Sequence, residues 1–103
     1  MFNPTILSEE NTTRTGLANT FNNLSAALAD LKGEIDAVAQ YDDHIKLTSS
    51  TIAKNTWKHI RDEELHHVGE LLALIGYLSL EFKEHIEMGR QEWLEKFSQN
   101  NMT

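Results

Sequence analysis

A Glu-x-x-His motif, formed by Glu64 and His67, interrupts a row of apolar residues in the second half of the sequence. The row recurs in steps of four and three residues, as one face of an α-helix does, and consists of Ile60, Glu64, His67, Leu71, Leu74 and Leu78. Three residues advance a helix by about 300° and 4.5 Å, so the carboxylate and the imidazole share one face. Both groups are common metal ligands, and we take these two residues as candidate ligands.

A third candidate, Glu34, occupies a similar position in the first half of the chain. It lies between Leu31 and Val38 in a second row with helical spacing. Thr48, Ser49, Ser50 and Thr51 favour helix caps and turns, which predicts a tight turn between two antiparallel helices. Positions 34 and 64 are equidistant from residue 49, inside that turn. Glu34, Glu64 and His67 are therefore predicted to converge.

Two carboxylates on apolar seams need compensation. Burying an ionised carboxylate costs several kcal/mol unless it is paired, protonated or bound to a cation. No Lys or Arg lies on these two rows. Carboxylates combined with an imidazole suit iron or manganese, with zinc as a competitor, and the ligand types fit a redox iron site.

The number of ligands predicts a dimer. Di-iron carboxylate bundles use one Glu from each of two helices and one Glu-x-x-His from each of two others. This chain offers one Glu and one Glu-x-x-His, which is half of that set. A symmetric homodimer would complete a di-iron centre near the twofold axis.

A second Glu-x-x-His match is interpreted differently. Glu63 and His66 share a polar row with Thr56, His59 and Glu70, which is typical of a solvated helix face. Tyr41 and Trp57, mirrored around the same turn, are predicted to be core aromatics.

The elements that must position these ligands are all helical. We expect a flexible lead-in over 1–10, a single helical domain over 11–97 and a flexible tail over 98–103. A first helix with an apolar face from Leu17 onward should end near Ile45 or Lys46, and a second should run from about Thr51 to Tyr77. A break at Gly76 and Ser79 precedes a short third helix. The predicted fold class is an all-α antiparallel two-helix hairpin with a short C-terminal helix, forming a four-helix ferritin-like bundle by dimerisation.

Composition narrows the partners. The 103 residues contain no Cys, so disulfides and thiolate metal sites are excluded. A net charge of −7 argues against nucleic acid as a ligand. No apolar run reaches the roughly 20 residues of a membrane span, and no signal peptide is apparent, so we expect a soluble cytoplasmic protein. A chain this short commonly needs a ligand or an oligomer for stability.

The motifs resemble one family, the encapsulated ferritins. The similarity spans roughly 30–86 and rests on Tyr41-Asp42-Asp43-His44, Ile52, His59 and the run from Arg61 to His67. The resemblance implies two long antiparallel helices, a short third one, a di-iron ferroxidase centre shared by a dimer, and a ring of commonly five dimers. Its metal ligands fall on Glu34, Glu64 and His67, the residues that the helical spacing selects.

The same resemblance implies an iron entry site and a shell. The two acidic entry residues of the family fall on Asp36 and on Gly33, so half of that entry site is missing here, and Asp30 is a candidate substitute. Family members usually carry a C-terminal extension that docks them inside an encapsulin nanocompartment. The end of this chain, Gln99 to Thr103, does not resemble that extension.

The predicted function is oxidation of Fe²⁺ to Fe³⁺ for iron storage or detoxification, with Glu34, Glu64 and His67 as catalytic metal ligands and Asp36 as an entry residue. A single hairpin cannot form the closed four-helix subunit of a ferritin cage, so oxidation without storage is expected. Two alternatives remain open: a structural homo-oligomeric bundle in which the inward Glu and His are only hydrogen-bonded, and a metal binder without catalysis.

Overall fold

The computed structural model describes residues 21–98, and every regular element in that range is helical. Helix α1 spans Asn23–Leu47, α2 spans Thr51–Leu78 and α3 spans Leu80–Trp93, and a π-helical turn follows over Leu94–Ser98. No strand occurs within 21–98. The all-α prediction is confirmed. The predicted lead-in over 1–10, the predicted first-helix residue Leu17 and the tail beyond Ser98 lie outside the described residues.

Polar caps determine where each helix begins. The backbone N–H of Ser25 donates to the Asn22 side chain at 2.9 Å, and that of Ala53 donates to Ser50 Oγ at 3.1 Å. Ser79 Oγ accepts from the Phe82 N–H at 3.2 Å. Each cap satisfies a first-turn donor that has no partner inside its helix. The predicted link and the predicted break between helices therefore lie where the sequence placed them.

Helices α1 and α2 contact each other through two polar pairs. Arg61 Nη1 donates to Asp42 Oδ1 at 2.7 Å, and His67 Nδ1 lies 3.4 Å from Glu34 Oε1. Each pair joins one residue of α1 to one residue of α2 across the three-residue link. Asp42 and Arg61 are the pair nearer the link, and Glu34 and His67 lie about two turns further along.

The buried core of a single chain is very small. Within 21–98 only Ala27 and Ile75 are buried. Large apolar side chains remain exposed on all three helices, among them Ile35, Leu47, Ile52, Leu65, Leu74, Tyr77, Leu80 and Met88. Two helices in contact enclose only one side of each other, so most of each apolar row stays accessible. No helix of the described part is long and apolar enough to cross a membrane.

The contact between α2 and α3 depends on a glycine. A Cβ added at Gly76 would lie 3.3 Å from Lys83 Cβ, closer than most real contacts of this kind. The absence of a side chain at Gly76 lets the first turn of α3 approach the last turn of α2. The break predicted at Gly76 and Ser79 therefore has a packing role as well as a capping role.

Candidate metal centre

The three candidate ligands lie together. One ligand atom from each of Glu34, Glu64 and His67 falls within 4.8 Å of the other two, and no other such group of three occurs within 21–98. His67 Nδ1 is 3.4 Å from both Glu34 Oε1 and Glu64 Oε1. Two donors held about 2.1 Å from one ion in a tetrahedral arrangement are about 3.4 Å apart. The donor types and spacing thus fit a first-row transition-metal ion after small side-chain movements.

Contacts within this group shift the pKa values of Glu64 and His67. Hydrogen bonding with the Glu34 carboxyl raises the pKa of Glu64, and desolvation and the negative charge of Glu34 act in the same direction. Hydrogen bonding to Glu34 likewise raises the pKa of His67; desolvation opposes the shift, and Glu64 reinforces it. The set therefore attracts positive charge, which a proton or a metal ion can supply.

Burial of the ligands is less than the sequence analysis assumed. The Glu34 and Glu64 side chains are 26% and 21% exposed, and His67 is 51% exposed. In a single chain the two carboxylates are partly exposed, because two helices cannot close over the group. The desolvation cost that argued for a cation is correspondingly smaller, and reaches its full size only if another surface covers these residues.

The second Glu-x-x-His match lies on another face. Glu63 Oε2 pairs with His59 Nε2 at 3.3 Å, and both side chains are well exposed. His66 is also exposed, and neither Glu63 nor His66 joins the ligand group. Glu63 and His66 therefore lie on an exposed face of the helix, as the sequence predicts.

The predicted entry residue Asp36 lies apart from the ligand group. Its Oδ2 accepts from Lys32 Nζ at 3.1 Å, and its side chain is 68% exposed. A groove does adjoin the ligands, and six of its lining residues are Asp30, Gly33, Glu34, His67, Glu70 and Leu71. The sequence analysis assigned Glu70 to the solvated row of Glu63 and His66, whereas the structure places it in this groove, three residues after His67.

The region nearer the link has a different composition. Arg61 contacts Asp42 and Asp62, and these hydrogen bonds raise the pKa of the guanidinium. The His44 ring lies 4.8 Å from that of Trp57 and 6.1 Å from that of Tyr41, and His44 Nδ1 is buried without a hydrogen-bond partner in the described part of the chain. Tyr41 and Trp57, which the sequence predicts to be core aromatics, are only half-buried in the single chain.

No family model, curated protein or solved structure matches the chain. The likeness to encapsulated ferritins thus stays a prediction from the residues quoted above.

Proposed function

We propose that this protein is a ferroxidase that oxidises Fe²⁺ to Fe³⁺ at a di-iron centre shared by two copies of the chain. The observation that carries the proposal is the convergence of Glu34, Glu64 and His67 from two helices onto one point. Two carboxylates and one imidazole form a donor set that accepts both oxidation states of iron, and anionic ligands stabilise the higher one more.

The proposed assembly is a twofold dimer of antiparallel hairpins. Antiparallel packing of α1 and α2 is supported by the two cross-helix pairs, because Asp42 and its partner Arg61 both lie nearer the link than Glu34 and its partner His67 do. In the proposed dimer, four long helices form one ferritin-like bundle. Each chain gives half of the ligands that a di-iron bundle uses.

The exposed apolar surface supports a second copy as the missing partner. Ile35 and Leu65, the neighbours of Glu34 and Glu64 in sequence, are about half exposed, and so is Leu74 further along α2. Burial of such side chains stabilises an interface by about 25 cal/mol for each Å² of apolar surface removed from water. A partner that covered His67 would also exclude water from the two carboxylates. A bound cation would then offset the cost of burying their negative charge.

The proposed chemistry balances with dioxygen as oxidant. Two Fe²⁺ ions lose one electron each, and dioxygen takes both electrons with two protons to give hydrogen peroxide. Peroxide can replace dioxygen as the acceptor, giving water. In the proposed dimer, Glu34, Glu64 and His67 of both chains would hold the two substrate ions side by side and orient them toward the oxidant. Adjacent one-electron donors suit a two-electron acceptor.

The wider setting of this proposal follows from the resemblance alone. We place the dimer in a larger ring, a decamer of five dimers, in the cytoplasm and inside an encapsulin shell. Without such a shell, the oxidised iron has no storage cavity and should precipitate.

Aerobic oxidation of added Fe²⁺ tests the proposal. Near-ultraviolet absorbance and oxygen consumption are recorded for the parent, for Glu64→Ala and for the matched control Glu63→Ala, at equal iron. The parent and Glu63→Ala should exceed the buffer rate, and Glu64→Ala should not. Dilution should lower the activity per chain, and Zn²⁺ should inhibit, because zinc takes the same ligands but has no accessible redox change.

The half-exposed state of His67 favours a second candidate, a homo-oligomeric bundle that binds metal without turnover or binds none. Iron bound at the three ligands, but oxidised no faster than by Glu64→Ala or by buffer, would establish the non-catalytic metal binder. The absence of stoichiometric metal in the parent would establish the structural bundle instead.

A further inference from the structure

We propose that the two hairpins of the dimer point in opposite directions, so that the link end of each copy packs against the α2–α3 junction of the other. The link end presents Leu47 and Ile52, and the junction presents Tyr77 and Leu80. The inference rests on the proposed di-iron dimer, and it adds the interaction surface that aligns the two ligand groups.

The two ends of a hairpin carry its most exposed large apolar side chains. Within 21–98 these are Tyr77, Leu47 and Ile52, which are 87%, 84% and 79% exposed. Leu80, the first residue of α3, is also largely exposed. Apolar side chains of this size stabilise an interface when another surface removes them from water, so both ends are suited to a partner.

The exposed end residues of α2 lie on the side of the helix where the ligand group is open. Glu70 lines the groove beside Glu34 and His67. Ile52 precedes Glu70 by 18 residues and Tyr77 follows it by seven, which correspond to about five turns and about two turns of an α-helix. Ile52, Glu70 and Tyr77 therefore form one row along α2. A second copy that covers His67 along this row also reaches both ends of the helix.

The ligand group lies near the middle of α2, and this position determines how two copies match. Ile52 is 12 residues before Glu64, and Tyr77 is 13 residues after it, which is about 18 Å and about 20 Å along the helix. A twofold axis that crosses α2 at right angles near Glu64 brings Ile52 of one copy level with Tyr77 of the partner subunit. The two hairpins then overlap over the full length of α2. A ligand group nearer one end would leave the other end uncovered.

The distribution of charge favours hairpins that point in opposite directions. The segment 42–58 around the link carries three lysines and two aspartates, whereas α3 carries four glutamates, one lysine and one arginine. Opposite directions place each acidic α3 near the lysines of a link. The same direction places both acidic α3 helices at one end of the dimer, and like charges across an interface disfavour that pairing. The three lysines are Lys46, Lys54 and Lys58.

Two such contacts flank the metal centre, one at each end of the four-helix bundle. They depend on apolar burial and not on a bound ion, so they act in the metal-free dimer as well. A dimer aligned in this way holds the two sets of ligands opposite each other before iron arrives, and less ordering is then left for the metal to impose.

Cross-linking between engineered cysteines tests the arrangement. The chain contains no Cys, so a thiol-specific reagent joins only the introduced positions. The double variant Ile52→Cys/Tyr77→Cys and the two single variants are treated with a short bis-maleimide, in chelator and with Zn²⁺. Both side chains are exposed, so their replacement leaves the core unchanged. Within one chain the two thiols are about 38 Å apart, so a covalent product of the double variant joins two copies.

A matched control moves one thiol to the opposite side of α2. Lys54 follows Ile52 by two residues, which is about 200° around the helix at nearly the same level. The double variant Ile52→Cys/Tyr77→Cys should give covalent dimer under both conditions. Lys54→Cys/Tyr77→Cys should give at least about tenfold less, and so should each single variant, because equal positions in the two copies are about 36 Å apart or more.

The outcomes separate this arrangement from the proposed function. Covalent dimer from either single variant overturns the arrangement, because it places the same ends of two copies together. An absence of covalent dimer from the double variant also overturns it when native mass spectrometry shows paired chains. Failure of the function alone gives covalent dimers as expected, which then oxidise Fe²⁺ no faster than buffer. A parent chain that stays monomeric with and without Zn²⁺ contradicts both proposals.

Discussion

Two regions of the α1 and α2 pair differ in how the charge of their carboxylates is balanced. Near the link, Asp42 faces Arg61 at 2.7 Å, so a carboxylate meets a permanent cation. About two turns further along, Glu34 and Glu64 meet each other and His67, and Lys and Arg are absent from the group. The first arrangement is complete within one chain. The second carries excess negative charge that a proton or a metal ion must balance.

The difference teaches which ionisable contacts between helices are structural and which have a use. A carboxylate and a guanidinium form a charge-assisted pair that needs no further partner. In the group held within 4.8 Å, hydrogen bonding to Glu34 raises the pKa of Glu64 and the pKa of His67, which marks the position where a cation is favoured. Helix geometry is the same in both regions, and only the residue types differ.

The largest expected effect is the loss of metal binding. Glu34→Ala, Glu64→Ala and His67→Ala should each reduce stoichiometric binding of Fe²⁺ or Zn²⁺ by more than about 100-fold, because each removes one of three ligands. Arg61→Ala, in the structural region, should leave the binding stoichiometry unchanged. Calorimetric titration of the purified variants measures both.

The polar row of α2 that contains Glu63 and His66 provides the matched control for this prediction. Glu63→Ala and His66→Ala change the same residue types on the other face of the same helix, and both should bind metal as the parent does. Equal losses in the inner and outer variants would mean that the helix face is wrongly assigned.

An intermediate effect concerns pH. Metal must displace the proton from His67, whose pKa Glu34 raises above the usual 6.5, and from Glu64 only where the pH is low enough for that carboxyl to be protonated. Affinity for Co²⁺ should therefore increase between pH 6 and pH 8, by at most about tenfold per pH unit for each proton released. Binding titrations in one buffer series measure the slope. A flat or falling affinity would show that neither group gives up a proton to the metal.

The unfolding free energy of the metal-free chain should depend on pH in the opposite direction from the metal affinity. A group whose pKa is raised on folding binds protons more tightly in the folded state. Its contribution to stability is full below the unfolded pKa and is lost as the pH rises through the raised folded pKa. With a chelator present, the share of the unfolding free energy that comes from Glu64 should fall as the pH rises above 4.5, and the share that comes from His67 should fall as it rises above 6.5. Glu64→Gln should remove the fall at the lower pH.

The smallest expected effect has opposite signs in the two regions. In chelator at pH 8, Asp42→Asn should lower the melting temperature by a few degrees, because it removes the partner of Arg61. Glu64→Gln, the same carboxylate-to-amide change, should leave the melting temperature unchanged or raise it slightly, because it relieves repulsion with Glu34. Thermal unfolding followed by circular dichroism compares them. Equal destabilisation would remove the distinction between the regions.

Sequence periodicity was sufficient for the helices and for the meeting of the three candidate ligands. The hydroxyl-rich link and the row containing Glu64 and His67 are local signals, and the end of α1 and both ends of α2 lie within one or two residues of those expected. The start of α1 at Asn23 is later than the apolar face from Leu17 onward predicts. The solvent exposure of the candidate ligands was not predictable in the same way, because it depends on which other surfaces pack against their helix face. His67 lies on an apolar row and is still half exposed in one chain.

The sequence also did not predict most contacts between side chains on different helices. The Asp42 and Arg61 pair and the groove beside Asp30 and Glu70 depend on rotamers and on the rotation of one helix against the other, which spacing alone does not specify. The entry residue Asp36 was taken from a resemblance, and its pairing with Lys32 is an i,i+4 contact that the sequence could have revealed.

The most direct test of the central claim is anomalous diffraction at the iron edge from crystals loaded with Fe²⁺. The claim predicts two iron peaks a few Å apart on or near a twofold axis between two copies, within bonding distance of Glu34, Glu64 and His67 from both chains. A single peak held within one chain, peaks at other residues, or no peak in a fully loaded crystal would contradict it.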